Sequence, residues 1–317
     1  MSESAIDAAV VAKRRPSLGE RFRRNPVVVK EMRARMRGNR AFVLLTIYLG
    51  LLSLLVALVY FAFTQSTTAA NSISDRQVFG KAIFGIVVFT QLLTISFVSP
   101  ALTAGAISSE REHQTYDLLR TTLLTGRSLV FGKFFSGLLF VLLMLIAALP
   151  IQSLAFLFGG VAVEEFIIAT ILLVVSAIAF CAAGVFFSSF IKRTLVSTVL
   201  AYAFAIILVF GLPMLLLLVF GLLDALFGGL SSQIRPGGEI LLFVVGWLLV
   251  SLNPLATAVA TEVILLQEQS AFLFSLPLPS GITVTLISPW VPYVIFYLLL
   301  SLVLLWLSVR FVRRLEK

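Results

Sequence analysis

Residues 108–133 read SSEREHQTYDLLRTTLLTGRSLVFGK, a charged, helix-prone island between two apolar runs, each long enough to cross a bilayer. Ser109 followed three residues later by Glu112 is the capping-box spacing, in which hydroxyl and carboxylate each satisfy a free backbone N–H at a helix start. The spacing predicts a short helix from that point. Tyr116, Leu119 and Leu123 then recur at i, i+3 and i+7 and form one apolar ridge, with Asp117 and Arg120 directed elsewhere. Such a helix would lie on a membrane surface or dock in a partner's groove.

The rest of the chain says which setting applies. Of 317 residues, 60% are hydrophobic and 12% charged, against about a quarter charged in an ordinary soluble domain. The fold class is therefore all-α and the chain a polytopic membrane protein. A net charge of +9 could suggest nucleic acid, but the distribution decides otherwise. Residues 1–40, 105–133, Lys192 with Arg193, and the stretch from Arg310 onward hold 21 of the 24 Lys and Arg. Placing these four regions on one side satisfies the positive-inside rule. The intervening loops hold Asp75, Glu164, Glu165, Asp224, Glu239, Glu262 and Glu268. Cys181 sits in an apolar run and has no second cysteine with which to pair. The N-terminal acids Glu3 and Asp7 precede the basic cluster, the reverse of a secretory signal, so no cleavage is expected.

Working outward, six spans are expected at about 41–63, 78–102, 134–158, 166–191, 195–223 and 291–309, within one domain of residues 41–309. Residues 1–40 form a cytoplasmic N-terminus, and 310–317 a basic cytoplasmic tail. After Pro26, a good first-turn residue, Val29, Met32 and Met36 form an apolar stripe flanked by cations, which predicts an interfacial helix. Gly159-Gly160 predicts a tight outer hairpin, and the small residues Ala177, Ala179, Cys181, Ala182, Ala183 and Gly184 mark the fourth span as a central packing helix. The fifth is expected to kink near Gly211 and Pro213. Gln91 reads as an interhelical hydrogen-bonding residue. Residues 240–252 and 255–266 are each too short to span, so 240–266 is read as two helices broken at Pro254, dipping into the outer leaflet and returning.

Two motifs resemble one family. In the island, Glu110, Arg111, Glu112, Thr115, Asp117, Leu118, Leu119, Thr121 and Thr122, with Gly132 and Lys133 opening the next span, resemble the cytoplasmic coupling segment of type-2 ABC (ATP-binding-cassette) exporter permeases. Gln114 and Leu123 stand where that family commonly has Gly and Pro, and both favour helix over turn. Near the N-terminus, Asn25, Pro26, Lys30, Glu31, Arg33 and Arg35 resemble the family's elbow helix. The resemblance implies re-entrant helices between spans five and six, a second permease copy, homodimeric or heterodimeric, in the plasma (inner) membrane with both termini cytoplasmic, and a cytoplasmic ATPase subunit. That subunit would dock on Glu110, Arg111, Glu112, His113, Thr115, Tyr116, Asp117, Leu119, Arg120 and Leu123.

The chain's own chemistry agrees with a permease. The nearest approach to a phosphate-binding loop, GRSLVFGKF from Gly126, has one residue too many between its glycines and Phe134 in place of the magnesium-binding hydroxyl. ATP and magnesium are thus expected in the partner, with no cofactor or metal in this chain. The single histidine, His113, leaves no Ser–His pair within the spans. The sequence thus reads as the non-catalytic membrane subunit of an ATP-driven exporter working by alternating access. The rival reading is an ATP-independent lipid-flipping or channel-type protein. Substrate identity is not encoded in any motif, although no span carries an acid or base near its middle, which favours apolar or amphiphilic cargo over an ion relay.

Overall fold

The computed structural model describes residues 39–66, 73–114, 126–215, 218, 221–222, 236–268, 270–277 and 283–314. The elbow segment with Asn25, Pro26, Lys30, Glu31, Arg33 and Arg35, and the ridge carrying Thr115, Tyr116, Asp117, Leu119, Arg120 and Leu123, lie outside the described residues. Six helices are long and apolar enough to cross a membrane. They belong to α1 (Asn39–Ser66), α2 (Ile73–Thr103), α4 (Gly126–Phe158), α5 (Val163–Phe190), α6 (Thr194–Ile206, prolonged by a π-helical turn at Ile207–Gly211) and α9 (Trp290–Arg314). A five-residue helix, α3 (Ser108–Glu112), follows α2, and α7 (Pro236–Leu252) and α8 (Pro254–Glu268) precede a two-stranded hairpin.

The third long helix starts at Gly126, eight residues before the expected 134. Lys133 had marked the edge of the span, yet it is buried and ion-paired to Glu110, so its charge does not end the helix. The fourth helix is central, as its small residues predict: 67% of an apolar eighteen-residue stretch within it is buried, against 22% for the matching stretch of α6 and 11% for that of α1. Gly159 and Gly160, at φ +77° and +91°, make the tight turn between α4 and α5 in the left-handed region open to glycine. Gln152 Nε2 donates to Gln91 Oε1 at 3.1 Å between α4 and α2, the interhelical bond expected of Gln91.

Near the basic end, α2, α4 and α5 converge on Thr103, whose hydroxyl donates to the Ser99 carbonyl at 2.7 Å. Gly137 of α4 and Gly184 of α5 stand on either side, and a Cβ on either would overlap the threonine side chain. A Gly184→Val variant is expected to lose about 1–3 kcal/mol through overpacking, seen as a lower melting temperature in detergent. Gly50→Val, where a Cβ meets open space, should melt like the parent.

The expected kink in the fifth span is a π-helical turn with a specific cause. Leu212 N–H donates to the Ile207 carbonyl, one residue out of α-helical register, and Pro213 has no N–H to offer either Leu208 or Val209. Both freed carbonyls accept from Asn253 Nδ2, at 2.5 and 3.0 Å. Asn253 Oδ1 accepts from Ala256 N–H at 2.7 Å, capping α8. One side chain thus joins the break between α7 and α8 to the break in α6. The α7–α8 pair is bent by 117°. Tyr297 Oη of α9 donates to the Leu252 carbonyl at 2.8 Å and secures the tip.

Both arms of this pair return toward the end of the bundle opposite the basic one. Trp247 Nε1 of α7 donates to the Ile287 carbonyl, and Leu265 of α8 packs in one cluster with Tyr293. The strands β1 (Leu273–Pro277) and β2 (Thr283–Ile287) pair antiparallel in the register Leu273 to Ile287. The strands flank residues 278–282, which lie outside the described residues.

Candidate functional site

The turn from α2 into α3 is held on the bundle by polar groups contributed from other helices. Ser188 Oγ, on α5, accepts the backbone N–H groups of Ile107 and Ser108 at 2.8 and 3.0 Å. These are free donors of a helix start, and their partner lies some eighty residues away. Ser109 therefore does not cap the helix: α3 begins one residue before it, with no side-chain cap at Ile107. Glu112 does not close a capping box either, because its carboxylate turns to Thr194. Ser197 Oγ, on α6, donates to the Ala104 carbonyl at 2.7 Å.

The three charged residues of α3 each reach a different helix end. Glu110 pairs with Lys133 of α4 at 2.5 Å. Arg111 Nη1 donates to the Ser189 carbonyl at 2.9 Å, at the end of α5. Glu112 Oε2 accepts the Thr194 N–H at 3.1 Å, at the start of α6. The Thr194 side chain and backbone N–H beside it hold the Glu112 carboxyl below its ordinary value. This tie is fully present above the ordinary carboxylate pKa near 4.5 and is lost as pH falls through the lowered folded value. Hydrogen-exchange protection of the Thr194 amide should fall on acidification below that point, and Glu112→Gln should show no such titration.

His113 and Gln114 follow, both exposed. Gln114 has φ +57°, so the chain leaves the helix through a left-handed residue despite lacking glycine there. The expectation that Gln114 favours helix is corrected: the turn survives the substitution because α3 is already fixed at three points. The sequence-predicted residues Glu110, Arg111, Glu112 and His113 are thus adjacent, but the first three reach the bundle while His113 is exposed. Ser188, Ser189, Thr194 and Ser197 were not anticipated. Their only sequence trace is the short polar turn around Lys192 and Arg193.

At the opposite end, Lys81 Nζ of α2 lies 3.4 Å from Glu165 Oε1 in the first turn of α5. Lys81 thus has a protein partner. Below them a cavity of about 180 Å³ lies between α2, α5 and α8. A broader groove of about 680 Å³ runs between α4 and α9 at the basic end, lined by Arg127, Arg310, Arg313 and Arg314 with Trp306. No group of three His, Cys, Asp or Glu able to hold a metal occurs among the described residues.

Long apolar helices around a small-residue centre, with a polar turn fixed at one end, define a multi-pass, all-α membrane protein of the transport-permease kind. The family model described as ABC-2 family transporter protein matches residues 26–314, and the chain belongs to that family. It is a transport subunit of an ABC system, and permeases of this family generally pair with an ABC ATPase. A search among curated proteins found no match.

Proposed function

We propose that this chain is the membrane-spanning subunit of an ATP-driven exporter of the plasma (inner) membrane, moving its substrate by alternating access. A separate cytoplasmic ATPase docks on residues 110–124, supplying the ATP and magnesium chemistry, while this chain stays non-catalytic. The observation that carries the reading is the triple attachment of α3: Glu110 to Lys133, Arg111 to Ser189, Glu112 to Thr194. A load applied to the adjoining segment passes at once to the ends of α4, α5 and α6. Docking contacts fall to His113, Thr115, Tyr116, Asp117, Leu119, Arg120 and Leu123, whereas Glu110, Arg111 and Glu112 convey force to the bundle.

The weakly covered spans α1 and α6 offer faces to a second permease copy, and the α7–α8 hairpin re-enters the outer leaflet without crossing. Both termini are cytoplasmic in this arrangement. The elbow residues Asn25, Pro26, Lys30, Glu31, Arg33 and Arg35, outside the described residues, are read as an interfacial element in which each cation contributes about 1 kcal/mol toward anionic lipid.

Copurification of the full chain with its ATPase tests the reading. Tyr116→Ala with Leu119→Ala should reduce ATPase retention at least tenfold while the permease keeps its melting temperature. Unchanged retention would overturn the docking assignment and favour the ATP-independent alternative.

A further inference from the structure

We infer that the cavity between α2, α5 and α8 is a binding site for a monovalent amphiphilic cation, an ammonium-type head on a slender apolar body. The cavity has a direction. Along the three helices its lining runs from Gly85, Glu165 and Glu262 at one end to Leu92, Leu172 and Leu255 at the other. Each pair is separated by seven residues, a depth of about 10 Å. The deep end is wholly apolar, and the polar lining consists of Glu165, Thr261 and Glu262.

The head group's charge follows from the carboxylates. Among the described residues Glu165 and Glu262 share one cation, Lys81, which lies within electrostatic reach of both acids, so acids outnumber cations at this end. Two buried polar atoms are left over. Glu165 is 6% exposed and Thr261 2%, and among the described residues neither Glu165 Oε2 nor Thr261 Oγ1 has a hydrogen-bond partner. Buried polar groups of this kind are costly unless paired. A single positive head placed between Glu165 and Glu262 meets acid oxygens on both sides, including the unpartnered Glu165 Oε2, whereas an anion would add to the acids already there.

The body's size follows from the volume. About 180 Å³ slightly exceeds the engineered cavity of about 150 Å³ that holds benzene, so an aromatic ring or short alkyl chain fills it. The cavity is open toward the side through Phe89, Val259 and Val263, all exposed at its rim. An amphiphile therefore enters laterally, body inward and head at the carboxylates.

The test uses the full chain in phosphatidylcholine nanodiscs with a single-ring photoactivatable probe, 4-(3-trifluoromethyl-diazirin-3-yl)benzyl-trimethylammonium, and its anionic counterpart, 4-(3-trifluoromethyl-diazirin-3-yl)benzoate. Saturable crosslinks of the cation are expected on residues 84–92 and 255–265, with labelling by the carboxylate at least tenfold weaker. Glu262→Gln should cut cation labelling at least tenfold. So should Gly85→Phe, which fills the cavity from a wall where a Cβ meets nothing within 4 Å. Equal labelling by both probes, or undiminished labelling in folded Gly85→Phe, would overturn the site. Repeating the experiment in bilayers doped with an aminoacylated phosphatidylglycerol separates the sources. Suppression assigns the site to a cationic lipid head, and persistence to a soluble amphiphilic amine. The readout requires neither ATP nor the ATPase, so it fails or succeeds independently of the docking assignment.

Discussion

Glu110→Ala is expected to destabilise the bundle by about 3 kcal/mol, because it removes the carboxylate that stands 2.5 Å from the buried Lys133. The pair lies where α3 meets the first turns of α4, so the loss should also loosen the connection between the docking segment and the spans. In the complex, ATP-stimulated transport should fall at least tenfold while the ATPase remains bound. Lys133→Met introduced beside Glu110→Ala should recover most of the melting temperature, since no charge is then left buried. It should not restore transport, because the attachment of α3 to α4 stays absent. Thermal unfolding together with ATPase retention and transport in proteoliposomes reads all three effects.

Asn253→Leu should cost about 2–4 kcal/mol, since it strips hydrogen bonds from two carbonyls of α6 and a cap from α8. The strongest form of this prediction is its non-additivity. Pro213 is the reason those carbonyls are free, and Pro213→Ala restores an N–H that lets the helix satisfy one of them internally. Pro213→Ala should therefore rescue about half the loss in the Asn253→Leu background while having a small effect alone. A double-mutant cycle on melting temperature measures the coupling directly. Additive effects would show that Asn253 acts only through α8.

The places where sequence reading succeeded share a local cause. Six apolar runs, Gly159-Gly160 and the small residues of the fourth span each signal through their own chemistry, and the structure places helices, turn and centre accordingly. Gly211 and Pro213 located the disturbance in the fifth span because proline's missing N–H is a property of one residue. The misreadings at Ser109 and Glu112 have the opposite origin. The capping-box spacing was correct as a pattern, but Ser188 and Thr194 competed for those partners across a sequence distance that no local pattern spans. Lys133 appeared to bound a span for the same reason: the carboxylate that makes its burial tolerable lies on another helix. The β-hairpin was within reach, since TVTLI at Thr283–Ile287 alternates with period two and its burial alternates in step. Pro254 located the break between α7 and α8, whereas the double attachment of Asn253 to α6 needed the fold.

The crowding of Thr103 by two glycines has a geometric result. Thr103 is wedged at one tip of α2, and Gly80, where a Cβ would overlap the Gly159 and Ala155 carbonyls, is wedged near the other. The two seats stand 23 residues apart in the sequence, about 35 Å at 1.5 Å per residue. A rod clamped at both ends pushes along its axis instead of swinging. A displacement delivered beside α3 therefore travels the length of α2 to Lys81 and the rim of the acidic cavity.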